Sequence, residues 1–485
     1  MKYKIKPWDH QLRAIEMASR ERDFALFMQM GTGKTGASIN ILRHHFYKNS
    51  RILRTLILCP IIVCTNWRRE FGMHSSVQKK TLVLTGPGKK RLELFDEILE
   101  KQENVIIITN YEALSIKSLY DRFLSYKFEI VIADESQKIK NPKAKRTKLV
   151  WSLGDQSRHN YALSGTPLTN GPMDIFGQYR FLDRGKTFGK NFFAFRAKYF
   201  VDKNAGMPAN KHFPDWRPRP NTENIFNDLI YKKAIRVKKE ECLDLPPLVR
   251  KRIDVALSKE QERAYSQMYA AFVAYLGSDA CVAEMAITKT LRLQQILSGF
   301  AVLDGLEDAT LPGAKKVKQK IYSFEDIPRI KALTEIIENL DSKSKFIIWC
   351  CYRENYRMVE NVVNKMGIGC VKLVGGMNEK ARDKAMEDFE KDPGVRCVIA
   401  NQAAASVGVN LIAASYSIYY SRTYNLEHDE QSEARNHRGG SEIHDRITRI
   451  DLVAPGTVDE DILEALAKKQ TIAEAILAWK KRLID

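Results

Sequence analysis

FALFMQMGTGKTGASI, residues 24–39, runs from an apolar strand-like stretch through a glycine-rich turn into a helical pattern, and VIADESQ, residues 131–137, ends a second apolar run on the acidic pair Asp134 and Glu135. The first stretch has the make-up of a phosphate-binding turn. Backbone N–H groups of Gly31, Thr32 and Gly33 and of the helix start can surround phosphates, Lys34 can reach the terminal pair, and the Thr35 hydroxyl can serve Mg²⁺. In the second stretch Asp134 is placed to hold that metal and Glu135 to polarise an attacking water. Both fall at the C-terminal ends of predicted parallel strands, where open α/β sheets put their ligands. Together they imply a nucleoside-triphosphate motor. The generic phosphate-loop pattern has Gly where this chain has Met28.

The 485 residues suffice for two or three domains with sizeable cores. A hydrophobic share of 44% and a charged share of 28% fit an ordinary soluble protein. No run approaches the length needed to span a bilayer, and MKYKIKPWDHQLR at the start has no signal-peptide core. A cytoplasmic location is expected, with no membrane partner. The eight cysteines are scattered, and Cys59 and Cys64 match no common zinc spacing. Buried free thiols and no structural zinc are the expectation.

The net charge is +19, from 78 basic and 59 acidic residues. Basic residues recur in KNPKAKRTK (140–148), YRFLDRGKTFGK (179–190), FRAKYF (195–200), KHFPDWRPRP (211–220), YKKAIRVKK (231–239) and GAKKVKQK (313–320). Any one run suits a solvated surface equally well. Summed beside an ATPase-type site, they point to a polyanion, and nucleic-acid backbones are read by such groups without regard to sequence.

Short Val/Ile-rich runs recur with helical stretches between them: RTLILCP, NVIIITN and YKFEIVIAD early, then SKFIIWC, GVRCVIA and SYSIYYS. They suit buried parallel strands with covering helices, giving an α/β fold with two sheet lobes. The first lobe is placed at 1–238 with an aromatic and basic insertion over 176–235. The second is placed at 239–485 with a helical insertion over 258–300. Two lobes imply a cleft, and QSEARNHRGG (431–440) offers it Arg435 and Arg438, three apart, which a helical start would set on one side to face polyphosphate.

The whole set resembles the superfamily 2 helicases, and within them the Swi2/Snf2-like double-stranded DNA translocases. The likeness covers nearly the entire chain and implies two RecA-like lobes, ATP with Mg²⁺, and a DNA track. PWDHQ (7–11) is similar to the adenine motif, with Gln11 on the adenine edge and Trp8 near the base. MGTGKT matches the family's phosphate loop, including a non-Gly residue at position 28. LILCP with Asn66 and Trp67 resembles the next motif, and ITNYEAL, with Thr109, Asn110 and Tyr111, a DNA-contacting one. DESQKIKN resembles the Mg²⁺ motif, with Gln137 where the family usually has His. ALSGTPLTN (162–170) is similar to the motif that senses nucleotide and DNA together, so Ser164 and Thr166 are expected to bond to the acidic motif.

LDLPPLVRKRIDVALSKEQERAY (243–265) looks like the family's entry to the second lobe, where a double proline precedes a strand and a helix starting near Ser258. AASVGVNLIAASYSIYYSRTYNLEHDEQSEARNHRGG (404–440) resembles the paired motifs that close over DNA and ATP. By that likeness Ser406 and Asn410 belong to the DNA-binding or coupling residues, with Asn410 anchoring the turn, Gly408 permits close backbone approach and with Gln431 of the final motif serves the nucleotide, Arg438 is the arginine-finger candidate, and Arg435 contacts phosphate or the acidic motif. The chain departs from the pattern at Ala405, Ser406, Tyr424, Leu426, Ala434 and Ser441. None of these removes a charged catalytic group.

No histone-reading or zinc module flanks the motifs, which favours a compact bacterial or phage-type protein acting as a monomer on duplex and branched DNA. Fork regression or Holliday-junction branch migration is the leading expectation. The alternatives are a general duplex translocase that displaces bound proteins or serves transcription or defence, an RNA-directed helicase, and a catalytically silent DNA-binding scaffold. A nuclease is disfavoured, since His10, His44, His45 and His437 are too dispersed for a metal cluster and need only packing or surface roles. Phe192, Phe193, Phe195, Tyr199 and Trp216 could form a strand-separating wedge, with packing of the insertion as their competing use.

Overall fold

The computed structural model describes residues 3–75, 80–101, 104–168, 171–206, 214–242, 244–277, 283–303, 320–405 and 409–468. The chain divides into two compact units, Met1–Asp244 and Leu245–Asp485.

In the first unit the strands are β1 (Phe24–Met28), β2 (Thr55–Cys59), β3 (Thr81–Leu84), β4 (Ile106–Asn110), β5 (Ile130–Asp134), β6 (His159–Ser164), β7 (Phe200–Asp202), β8 (Trp216–Pro218) and β9 (Ala234–Val237). Seven of them form a parallel sheet in the order β3-β4-β2-β5-β6-β1-β9, while β7 and β8 pair antiparallel as a separate ribbon. Every position of β1, β2, β4 and β5 is buried. Those runs read as continuous hydrophobics because both faces are covered.

The register decides what the sheet can present. Asp134 at the end of β5 pairs with Leu163 of β6, and Ser164 at the end of β6 pairs with Phe27 of β1. The ends of three adjacent strands therefore share one edge of the sheet, and the glycine-rich turn leaves from the same edge.

The aromatic stretch expected as an insertion is largely interior. Phe176, Phe188, Phe195, Tyr199 and Phe226 are buried together, with ring centroids 5.0 Å apart for Phe176 and Phe195 and for Phe188 and Phe226. The segment ends in β9, which completes the sheet beside β1. Tilted aromatic packing of this kind adds to plain area burial.

The second unit carries β10 (Leu248–Asp254), β11 (Phe300–Leu303), β12 (Lys320–Ser323), β13 (Lys345–Trp349), β14 (Gly369–Leu373), β15 (Val395–Ala400), β16 (Ala414–Tyr419) and β17 (Ile447–Val453). Six form a parallel sheet ordered β10-β17-β16-β13-β15-β14, and β11 with β12 makes an antiparallel pair. After β10 the chain enters the helix Lys259–Gly277, whose start is capped by Ser258: its Oγ accepts from the Gln261 N–H at 3.3 Å. Both units are thus parallel α/β lobes of the RecA-like kind, with helices inserted. Among the described residues no helix is long and apolar enough to cross a membrane, and no cluster of three or more His, Cys, Asp or Glu side chains is placed to hold a metal ion. The described cysteines are free thiols; Cys59, Cys64, Cys350 and Cys397 are buried, and Cys242, Cys351 and Cys370 half-buried.

His45, packed on the helix Lys34–Asn49, meets the Tyr161 hydroxyl at 2.7 Å and the His159 ring at a centroid distance of 4.4 Å. Burial, with nearby His159 and other basic groups, pushes its pKa down to about 3. The unfolded chain takes up this proton near pH 6.5, so the stability that neutral His45 contributes is present above that value and is lost as pH falls from 6.5 towards 3. Between pH 6.5 and 5 the loss amounts to about 2 kcal/mol at most. Thermal melts of the full chain and of His45→Gln should show a smaller acid-induced drop for the variant, whereas equal drops would remove His45 as the cause.

Candidate active site

The turn after β1 is shaped by two glycines in the left-handed region, Gly31 at φ 85° and Gly33 at φ 81°. Thr32 between them is buried, and its carbonyl accepts from Gln11 Nε2 at 3.1 Å and from His10 Nε2 at 2.8 Å. Gln11 Oε1 accepts from the Trp8 N–H at 3.0 Å, so both ends of this amide are engaged, one of them on the phosphate turn itself. A Cβ at Gly33 would lie 1.9 Å from Gln11 Nε2 and 3.7 Å from the Trp8 ring. Trp8, Gln11, Thr32 and Gly33 are therefore gathered at one place, with the Trp8 ring partly exposed.

Lys34 and Thr35 begin the helix Lys34–Asn49. Lys34 Nζ donates to the Met28 carbonyl at 2.8 Å, and a Cβ at Gly165 would stand 3.4 Å from it. Glycine in the SGTP turn leaves that room. A cation resting on a backbone carbonyl, beside N–H groups at a helix start, is a cradle suited to phosphate.

The acidic pair is buried, with Asp134 5% and Glu135 7% exposed. Asp134 Oδ2 accepts from Trp67 Nε1 at 2.8 Å and Oδ1 from the Glu135 N–H at 3.0 Å, while the Tyr111 hydroxyl donates to the Asp134 carbonyl at 2.8 Å. Burial and the adjacent Glu135 charge push the Asp134 carboxyl well above the ordinary range, against the opposing pull of the Trp67 hydrogen bond and of Lys34. Two carboxylates so placed make a donor set whose mutual repulsion a divalent cation would relieve, and the Thr35 hydroxyl on the first helical turn suits the same ion.

Glu135 itself holds a left-handed backbone at φ 51°, a strained conformation for a side chain of its size. From it runs a buried relay. Gln137 Nε2 donates to Glu135 Oε2 at 2.8 Å, Ser164 Oγ donates to Gln137 Oε1 at 2.8 Å, and the Thr166 N–H donates to Ser164 Oγ at 3.0 Å. The residue that departs from the family's usual His thus joins the end of β5 to the turn after β6. A second bridge runs alongside: Ser136 Oγ donates to Gln178 Oε1 at 2.7 Å, and Gln178 Nε2 donates to the Pro167 carbonyl at 2.6 Å. Gln178, on the helix Ile175–Asp183, carries no motif and escaped sequence reasoning.

The remaining first-unit candidates are turned inward. Thr109, Asn110 and Tyr111 are buried, and Trp67 is wholly enclosed against Asp134. Thr109 Oγ1 donates to the Leu84 carbonyl at 2.7 Å, and Asn110 Oδ1 accepts from Arg91 NH1 at 2.7 Å. Of the three, Tyr111 bonds to the acidic pair, through the Asp134 carbonyl. Asn66 is half-buried and accepts from Arg69 NH2 at 2.8 Å.

In the second unit the helix Leu426–Glu433 ends before Arg435, so Arg435 and Arg438 lie in the following turns and not on one helical face as expected. Arg435 is buried, with Nε donating to the Gln431 carbonyl at 2.9 Å and NH1 to the Val409 carbonyl at 3.0 Å. It ties the helix end to the Val409 backbone. Arg438 is half-buried. Gln431 is buried and donates to Glu427 Oε1 at 3.1 Å; Asn410 is exposed. Ser406 and Gly408 lie outside the described residues.

A buried charge network holds that helix. Arg449 on β17, 5% exposed, donates to both Asp429 oxygens at 3.0 Å, meets Asp451 at 3.1 Å and Glu433 at 3.1 Å, and stacks 4.0 Å from the Tyr419 ring. Arg422 reaches Asp451 at 2.9 Å. Burial pushes Asp451 up, but Arg422 and Arg449 outweigh it and hold the carboxyl below its usual range. Its only sequence signal is the charged pair Arg449 and Asp451, two apart on one strand face.

The SNF2-related domain matches residues 10–303, and the helicase conserved C-terminal domain matches residues 328–440. The chain belongs to the SNF2-related family of helicase-type ATPases. It is 24% identical over 445 residues to the DNA repair and recombination protein RDH54 of Saccharomyces cerevisiae, covering 87% of this chain and 46% of that protein. It is 26% identical over 454 residues to an uncharacterized ATP-dependent helicase of Mycoplasma pneumoniae, covering 93% of this chain and 40% of that protein. The chain therefore spans less than half the length of these relatives. A Sulfolobus solfataricus SWI2/SNF2 ATPase core in complex with dsDNA aligns at 23% identity with a TM-score of 0.43, covering 96% of this chain and 92% of that one.

Replacing Gly33 by Ala puts a Cβ into the Gln11 amide and forces a left-handed backbone on a residue that resists it. Nucleotide affinity of Gly33→Ala, titrated with a fluorescent ATP analogue, should fall at least about tenfold. Unchanged affinity would mean that Gln11 and the turn are not placed for nucleotide.

Proposed function

We propose that the chain is a DNA-dependent ATPase that uses ATP with Mg²⁺ to move along duplex DNA and to remodel branched DNA, by fork regression or Holliday-junction branch migration. The observation that carries the ATPase reading is the buried Asp134 and Glu135 pair on the sheet edge that also holds Lys34. Lys34 exchanges the Met28 carbonyl for phosphate oxygens. Asp134 and Thr35 hold Mg²⁺, which when bound neutralises charge on the phosphates. Glu135 orients the attacking water, and its carboxylate is steadied by Gln137. Each role needs groups already at this edge.

The DNA part rests on other grounds. A net charge of +19 suits a phosphate backbone, and movement along it needs no base contact. The name of the yeast relative, a DNA repair and recombination protein, favours branched substrates over plain duplex. A general duplex translocase is the second reading, favoured by the same charge, which lies in the first unit, with 44 basic against 25 acidic residues over 1–244, in runs without a sequence-reading motif.

Steady-state ATP hydrolysis with equal nucleotide concentrations of single strand, duplex, fork, four-way junction and RNA separates these. Forks and junctions should stimulate most, and Lys34→Ala and Glu135→Gln should lose about a hundredfold or more of the rate. Equal stimulation by plain duplex would leave the general translocase. No DNA-dependent rate would overturn the proposal.

A further inference from the structure

The helix Phe192–Tyr199 sends its rings two ways. Phe195 and Tyr199 enter the aromatic core, whereas Phe193 stands 61% exposed on the outer side. Beside it the Arg196 guanidinium lies 3.9 Å from the centroid of the Trp216 ring on β8 and 5.4 Å from that of Phe193. Among the described residues no carboxylate reaches Arg196. The β7–β8 ribbon continues the surface with Arg217 and with Val201, which is 40% exposed. The described residues 186–206 and 214–219 contain seven Lys and Arg against two Asp, a surplus of five positive charges in a short stretch.

We propose that this outer face is a binding surface for single-stranded DNA, with Phe193 as the platform on which an unpaired base stacks and Arg196 as the adjoining cation. An exposed ring beside a guanidinium suits a partner that brings an aromatic face and negative charge together. Duplex DNA presents its phosphates but keeps its base faces stacked inside, so it cannot use Phe193. An apolar protein partner would use the ring but would meet the surplus of positive charge. The proposal rests on the reading of DNA as substrate and deepens it: the unpaired strand at a branch point is what this face holds. The sequence alternatives of wedge and packing are thereby divided, Phe195 and Tyr199 to the core and Phe193 to the strand.

Fluorescence-anisotropy titrations of the full chain without nucleotide test it, using a labelled oligothymidylate, a plain duplex and a fork with single-stranded arms. Phe193→Ala should weaken oligothymidylate and fork binding about tenfold, leave duplex binding within about twofold, and be rescued by Phe193→Trp. Because Phe193 is exposed, its melting temperature should match that of the unchanged chain. Unchanged oligothymidylate affinity, equal losses for single strand and duplex, or no binding of single strand by the unchanged chain would each overturn it. If no DNA stimulates ATP hydrolysis, the proposed function fails while these titrations still read the surface.

Discussion

Two neighbouring carboxylates buried at the end of one strand impose the constraint around which the first unit is arranged. Removing a charge from water costs several kcal/mol unless hydrogen bonds or an opposite charge replace the solvent. The chain answers with an indole N–H from a separate helix and with a backbone N–H and a side-chain amide from the turn that follows β5. Trp67 therefore has to be interior, and the helix that bears it has to pack against the sheet. Tyr111 fixes the carbonyl behind the acid, which explains why the segment after β4 turns inward. What looked like a set of separate motifs is one enclosed polar site with a shared structural cost.

That arrangement also explains which features were readable in the sequence. Fully buried parallel strands announce themselves as short apolar runs, and RTLILCP, NVIIITN and YKFEIVIAD became β2, β4 and β5. The glycine turn was readable because left-handed backbone at Gly31 and Gly33 leaves a residue-type signature. Partners across the site left none. Gln178 bonds to residues more than ten positions away, and nothing in a helical stretch marks one glutamine as an anchor. The placement of Arg435 failed for a related reason. Spacing of three suggests a helical face, but the helix stops at Glu433 and the guanidinium satisfies backbone carbonyls that the turns leave open. The aromatic segment was readable as aromatic, and only burial divided Phe195 from Phe193.

The second unit answers a similar constraint with charge against charge. Arg449 is buried among Asp429, Glu433 and Asp451, and the Tyr419 ring closes the remaining side. Removing one member would leave the others buried without compensation, so the network fixes the helix Leu426–Glu433 on the sheet. The residues that follow, including Arg435, inherit their position from it.

In the reading proposed for the first unit, Glu135 serves the water only while Gln137 and Ser164 hold it, so hydrolysis depends on the relay as a unit. A double-mutant cycle on DNA-stimulated ATP turnover with Gln137→Ala, Ser164→Ala and the double variant tests this most directly. The account predicts that each single change lowers turnover about tenfold and that the double change is no worse than either, a coupling of roughly 1 kcal/mol or more. Losses that simply multiply would show two independent residues and contradict the relay.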